Sequence, residues 1–195
     1  MSRRARLIAG AVLVALVQIG FLAWIIAGRA AILRDGAEIR LTVEPVDPRD
    51  LLRGDYVRLT YNISTVQSAL FDSGVLADHR GAGGERLCIG LDPDEDGIAR
   101  AVSIRPANDA GRAAETGAVE ICGKATGVWS GAQGRNLRLE YGIERFYLPE
   151  GEGRAIERDL GLRAFTVVVA VGADGQAQIK ALYDGETKLY EEPLY

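Results

Sequence analysis

A chain of 195 residues has room for one domain and an appendage. Its 48% hydrophobic and 26% charged content is that of a globular protein and excludes long disorder. All 27 acids lie after residue 30, whereas four of the 23 bases (Arg3, Arg4, Arg6 and Arg29) lie before it, so the body carries a net −8 and nucleic acid is a poor partner.

The appendage comes first. Leu7 to Gly28 is a run of 22 residues without a charge, and Gln18 is its only strongly polar side chain. A bilayer's hydrocarbon takes about 20 apolar residues as a helix, so the run is long enough to span. The apolar core of a cleaved signal is shorter, about 7–15 residues, which favours a retained anchor over residues 1–29 ahead of a domain over residues 30–195. Trp24 lies near one end, where an aromatic ring suits the interface. Arg3, Arg4 and Arg6 cluster more tightly than Arg29, Arg34 and Arg40 beyond the run. That bias predicts a single pass of the membrane, with the C-terminal domain outside the cytoplasm.

After a short connector over 31–36, Ile39, Leu41 and Val43 alternate with polar neighbours as a first strand. It enters a loop dense in charge: Asp47-Pro48-Arg49-Asp50-Leu51-Leu52-Arg53-Gly54-Asp55. A strand over 56–63 leaves the loop, with Val57, Leu59 and Tyr61 on one side and Tyr56, Arg58 and Thr60 on the other. Residues 64–71 have Val66, Ala69 and Leu70 spaced for a helical turn or two, and 72–84 read as an exposed loop. Residues 86–91 and 98–104 form a hairpin around Asp92-Pro93-Asp94-Glu95-Asp96-Gly97, and 105–116 are irregular. Another strand covers 118–129 with a bend at Gly123. A further strand over 136–143 slips phase beyond Gly142, which predicts a bulge. Residues 154–160 suit a short helix. Residues 165–171 (FTVVVAV) are the most hydrophobic strand and the natural centre of a sheet; Asp174-Gly175 turns it into a strand over 177–183, with a last short piece around Leu189 and Tyr190. Short strands with turn signals about every 8–12 residues predict a mainly β, antiparallel sandwich or barrel-like domain behind the transmembrane helix.

Chemistry is sparse. The acidic stretch 92–97 resembles half a calcium loop, but the twelfth position, where a Glu is required, is Ser103, so a solvated hairpin tip is the better reading. The sole histidine, His79, excludes His-based triads and multi-His metal sites. Carboxylate pairs drawn from Asp50, Asp55, Glu150 and Glu157 suit a salt-bridge network better than glycoside hydrolysis. No complete catalytic set, cofactor motif or metal set is recognisable. Cys88 and Cys122 each sit mid-strand, and either a single disulfide or two buried thiols fits them.

A second island of mixed charge, Tyr141-Gly142-Ile143-Glu144-Arg145 continuing through Pro149-Glu150-Gly151 to Glu157, mirrors the first loop. The two are expected to lie side by side, with Arg49 or Arg53 facing Glu150 or Glu157 and Arg145 facing Asp50 or Asp55. The candidate site, binding or structural, is therefore Asp47, Arg49, Asp50, Arg53, Gly54, Asp55, Tyr56, Leu59, Tyr61, Tyr141, Glu144, Arg145, Glu150 and Glu157.

Gly54-Asp55-Tyr56-Val57-Arg58-Leu59-Thr60-Tyr61 fits, position for position, the motif of the GDYXXLXY family, and residues 44–53, 141–145 and 149–151 resemble that family as well. The resemblance implies a bacterial protein with one anchor and an external, periplasmic β-rich domain. It also implies a multi-spanning membrane protein as partner, and it brings no assigned activity. The expected function is a binding or assembly module. The alternatives are a small-ligand sensor lined by Tyr56, Tyr61, Tyr141 and Arg145, or an envelope hydrolase like the signal-peptidase barrels, whose Ser-Met-x-Pro segment is missing here.

Overall fold

The computed structural model describes residues 2–44, 56–67, 70, 84–107, 119–131, 134–147 and 163–193. Helix α1 (Arg3–Asp35) starts where the Ser2 hydroxyl accepts from the Ala5 backbone N–H at 3.3 Å. From Leu7 to Ile26 its large apolar side chains are exposed all round. This helix is apolar on every side and is long and apolar enough to cross a membrane.

The expected connector over 31–36 is instead the last turn of α1. Leu33 is buried there, and Gly36 donates its N–H to the Ile32 carbonyl at 2.9 Å before the chain extends into β1 (Ala37–Glu44). Packing overrides the lack of a helical signal in this stretch. A Cβ at Gly36 would stand 2.4 Å from the Ile32 oxygen and 3.0 Å from the Val171 oxygen, so only glycine permits this junction.

β1 pairs antiparallel with β10 (Phe165–Val171), from Ala37 opposite Val171 to Thr42 opposite Thr166. β10 continues through a turn into β11 (Ala177–Asp184), which pairs with β12 (Thr187–Glu191). With β3 (Thr60–Tyr61) on the far side of β1, the first sheet has the order β12-β11-β10-β1-β3. β10 is central, as its run of valines predicts, and Val167, Val169 and Ala170 are fully buried.

The second sheet runs β4-β8-β7-β5-β6, built from β4 (Thr65–Gln67), β5 (Arg86–Pro93), β6 (Ala99–Pro106), β7 (Val119–Gly131) and β8 (Gly134–Glu140). The chain passes between sheets in the three residues after β3. There the Asn62 side chain donates to the Ala99 carbonyl at 2.8 Å and accepts from the Thr42 N–H at 3.3 Å. A parallel bridge between Arg40 and Ile98 joins β1 to the start of β6 on the same side. The result is a half-closed antiparallel barrel around one apolar core, which includes Leu41, Tyr61, Ile89, Ile121, Leu139 and Phe165.

Four local readings change. Thr65–Gln67 is strand, not helix, because β8 offers it an edge and Val66 alone needs burying. The expected strand over 56–63 is interrupted at Leu59, whose N–H donates to the Glu144 carbonyl at 2.8 Å, so β2 (Tyr56–Arg58) and β3 are separate. β7 runs straight through Gly123 and carries its irregularity between Ala125 and Gly127. The phase slip after Gly142 is not a bulge: the chain leaves the second sheet there and forms β9 (Arg145–Tyr147), which pairs with β2 as a separate ribbon. The short helix expected at 154–160 lies outside the described residues.

Candidate functional site

The second half of the GDYXXLXY motif and the Tyr-Gly-Ile-Glu segment lock together. Tyr61 is fully buried, and its hydroxyl donates to the Ile143 carbonyl at 2.5 Å. Tyr141 reciprocates, donating to the Ile63 carbonyl at 2.7 Å. Each ring therefore satisfies a backbone acceptor two residues beyond its counterpart, which makes a double clasp between segments about 80 residues apart in sequence. Ser64, buried between them, accepts from the Tyr61 N–H at 3.0 Å, donates its own N–H to the Tyr61 carbonyl, and takes the Leu139 N–H on its carbonyl. Burial, reinforced by the nearby Glu144 carboxylate, pushes both phenols well above their ordinary value, so both stay protonated donors.

Glu144 holds the turn that aims Tyr141. One carboxylate oxygen accepts from the Tyr141 N–H at 2.5 Å and the other from the Gly142 N–H at 2.9 Å. Gly142 adopts φ +84°, a backbone state that glycine reaches without strain. The Tyr141 ring lies against Gly123, where a Cβ would come within 2.8 Å of the ring and of the Glu140 carbonyl. Gly123 is thus a seat for the tyrosine and not a bend.

Beyond the clasp, β2 and β9 pair with Tyr56 opposite Tyr147, Val57 opposite Phe146 and Arg58 opposite Arg145. In an antiparallel pair, the chain before one strand and the chain after the other leave from the same end. The connections into β2 and out of β9 therefore depart together. Phe146 secures the ribbon by packing edge-on against Tyr190 of β12, with ring centroids 5.0 Å apart.

Of the fourteen candidate residues, Leu59, Tyr61 and Tyr141 are core, Glu144 is half-buried and engaged in its own turn, and Arg145 is exposed on β9. Tyr56 lies in β2 opposite Tyr147. Asp47, Arg49, Asp50, Arg53, Gly54, Asp55, Glu150 and Glu157, and with them the expected ion pairs between the islands, lie outside the described residues.

Cys88 and Cys122 occupy directly opposed positions on β5 and β7 and are joined as a disulfide, with Cα atoms 4.0 Å apart. The β10–β11 turn covers it. The Gly175 carbonyl accepts the Cys122 N–H at 2.9 Å, and a Cβ on Gly175 would sit 2.3 Å from the Cys122 sulfur. Beside the disulfide Arg105 pairs with the half-buried Glu120, whose other carboxylate oxygen has no hydrogen-bond partner among the described residues. The sequence carries no signal for the contacts that Ser64 and Gly123 make with the clasp or that Gly175 makes with the disulfide. A Gly at φ +74° in an Asp-Gly turn was readable as a turn, but its contact with a cysteine 53 positions earlier was not.

Fold and clasp together define a class of protein: a half-closed β barrel continuous with one helix long and apolar enough to cross a membrane. The chain belongs to the GDYXXLXY family, whose model, described as GDYXXLXY protein, matches residues 18–182. No curated protein and no solved structure matches it.

Proposed function

We propose that this is a single-pass inner-membrane protein whose β domain lies outside the cytoplasm and acts as a binding or assembly module for another, multi-spanning membrane protein. The observation that carries the reading is the β2–β9 pairing, since it starts the two mixed-charge segments from one end of one ribbon. A polar surface of both signs docks a partner by electrostatic complementarity and discriminates against wrong ones. The side assignment is supported by the Cys88–Cys122 disulfide, a bond that persists in oxidising compartments, and by the Arg3, Arg4 and Arg6 cluster before the apolar run. The sensor reading loses two of its lining residues, because the Tyr61 and Tyr141 hydroxyls are buried on backbone carbonyls.

The test is capture of the tagged full chain from membranes solubilised in mild detergent, for wild type and for Asp55→Asn and Glu150→Gln. The reading expects a multi-spanning protein in stoichiometric yield with wild type, and less of it with variants that melt like wild type. Recovery of the protein alone would refute it.

A further inference from the structure

We infer that the face of the β domain around the β10–β11 turn is seated in the phospholipid headgroup layer, held there by the last two turns of α1. The inference rests on reading α1 as membrane-spanning. The uncharged run ends at Gly28, yet the helix continues unbroken through Asp35. Those seven residues rise only about 10 Å, close to the thickness of one headgroup layer, which is about 5–8 Å. Over that short distance α1 is already packed on the domain. Gln178 of β11 donates its side-chain N–H to the Arg29 carbonyl at 3.3 Å, at the edge of the apolar run. Four residues on, Leu33 is 5% exposed, and Ile32 lies so near Gly172 that a Cβ there would be 3.1 Å from its Cγ1. Gly36 closes the junction with its N–H on Ile32 and its Cα against Val171.

Attachments at Arg29, at Ile32 and Leu33, and at Gly36 fix the helix axis against the β10–β11 hairpin, and residues 29–44 are helix or strand apart from Gly36 itself. No tether is present to lift the domain. A protein element wedged beneath the turn would need a helix diameter of about 10 Å, whereas Gln178 of β11 already meets the Arg29 carbonyl at the edge of the apolar run. Lipid headgroups are therefore the occupant. The chemistry suits them. Arg29 is exposed at the boundary, where its guanidinium reaches phosphate, and the turn tip at Ala173 is small and exposed. The one acid of the tip, Asp174, is exposed and accepts the Gln176 backbone N–H at 3.1 Å and its side-chain N–H at 2.7 Å.

The experiment places one spin label on the full chain in phosphatidylcholine vesicles, at Ala173→Cys or at Glu186→Cys in the β11–β12 turn. Between these turns lies the eight-residue length of β11, about 26 Å. The two native cysteines are joined, so only the new thiol is labelled. With a nickel chelate carried on lipid headgroups, relaxation at 173 is expected to exceed that at 186 several-fold. Equal, weak relaxation at both sites in protein that survives alkaline carbonate extraction would overturn the seating while leaving the spanning helix intact. Release by carbonate would overturn the spanning reading and the seating with it. A flexible Gly/Ser segment inserted between Gly28 and Arg29 leaves the docked turn untouched and is expected to abolish the signal at 173 without changing the melting transition. A signal that persists would overturn the role given to α1.

Discussion

Removing one hydroxyl from the tyrosine clasp gives a sharp test of what the motif does. Tyr61→Phe keeps the ring, fully buried in the wild type, and deletes only the donor to the Ile143 carbonyl; Tyr141→Phe does the same to the Ile63 carbonyl. A lost buried hydrogen bond costs about 0.5–1.5 kcal/mol, and an orphaned buried acceptor brings the cost to about 1–3 kcal/mol. Each substitution should therefore lower domain stability by about 1–3 kcal/mol. The pair should fall short of additivity, because both bonds close the same two segments. The same geometry predicts alkaline sensitivity. The folded-state phenols are held above their ordinary value of 10, so the folded chain keeps protons that the unfolded chain releases. Their contribution is complete below pH 10 and is lost as pH rises above it, at about 1.4 kcal/mol per pH unit for each tyrosine until the folded-state value is reached. Thermal unfolding followed by far-ultraviolet circular dichroism, with tyrosinate absorbance recorded in parallel, measures both effects in the full chain in detergent. Melting of Tyr61→Phe at the wild-type temperature, or ionisation of both phenols near pH 10 in the folded protein, would refute the clasp.

Glu144→Ala removes the acceptor from two backbone N–H groups and should destabilise the domain by about 1.5–3 kcal/mol in the same melt. Gly175→Ala combines a left-handed backbone with a Cβ directed at the Cys122 sulfur, and should cost at least about 2–4 kcal/mol by denaturant titration. The Cys88–Cys122 bond closes a loop with a sequence separation of 34, worth about 3–4 kcal/mol by the chain-entropy estimate. Its burial beneath the Gly175 turn should make mass-detected reduction slow until denaturant is added.

The strand pattern of the body was legible because period-two alternation survives in one-sided strands: β1 shows it at Ile39, Leu41 and Val43, and β10 declares its central place by its valines. What the sequence hid was partnership. Thr65–Gln67 carries one buried side chain, too few to separate a strand from a helical turn, and only the β8 edge decides it. The strand break at Leu59 is caused by a carbonyl 85 residues away, and the apparent bulge after Gly142 by a change of sheet. Of the candidate site, the tyrosines were visible as members of two charged islands, but their role was not. An alternating Tyr in a strand reads alike whether its hydroxyl meets solvent or a buried carbonyl.

The clasp divides the motif into two halves with different duties. Leu59 and Tyr61 are consumed by the core, the Tyr61 and Tyr141 hydroxyls are spent on backbone carbonyls, and both Glu144 oxygens already accept backbone N–H groups of the turn. Their product is position. By fixing residue 59 against residue 144 and residue 61 against residue 143, they set the register in which β2 meets β9. That register in turn sets Tyr56 opposite Tyr147, the shared end at which the chain enters β2 and leaves β9. A site built this way fails in two distinguishable manners. Loss of a tyrosine hydroxyl loosens the frame and shows first as a lower melting temperature, with partner capture declining only as the fold does. Loss of a charge at Asp55 leaves the frame standing and shows as lost capture alone. Should Asp55→Asn instead melt the domain, the first half of the motif belongs to the corner as well, and the polar surface must be sought elsewhere on the ribbon.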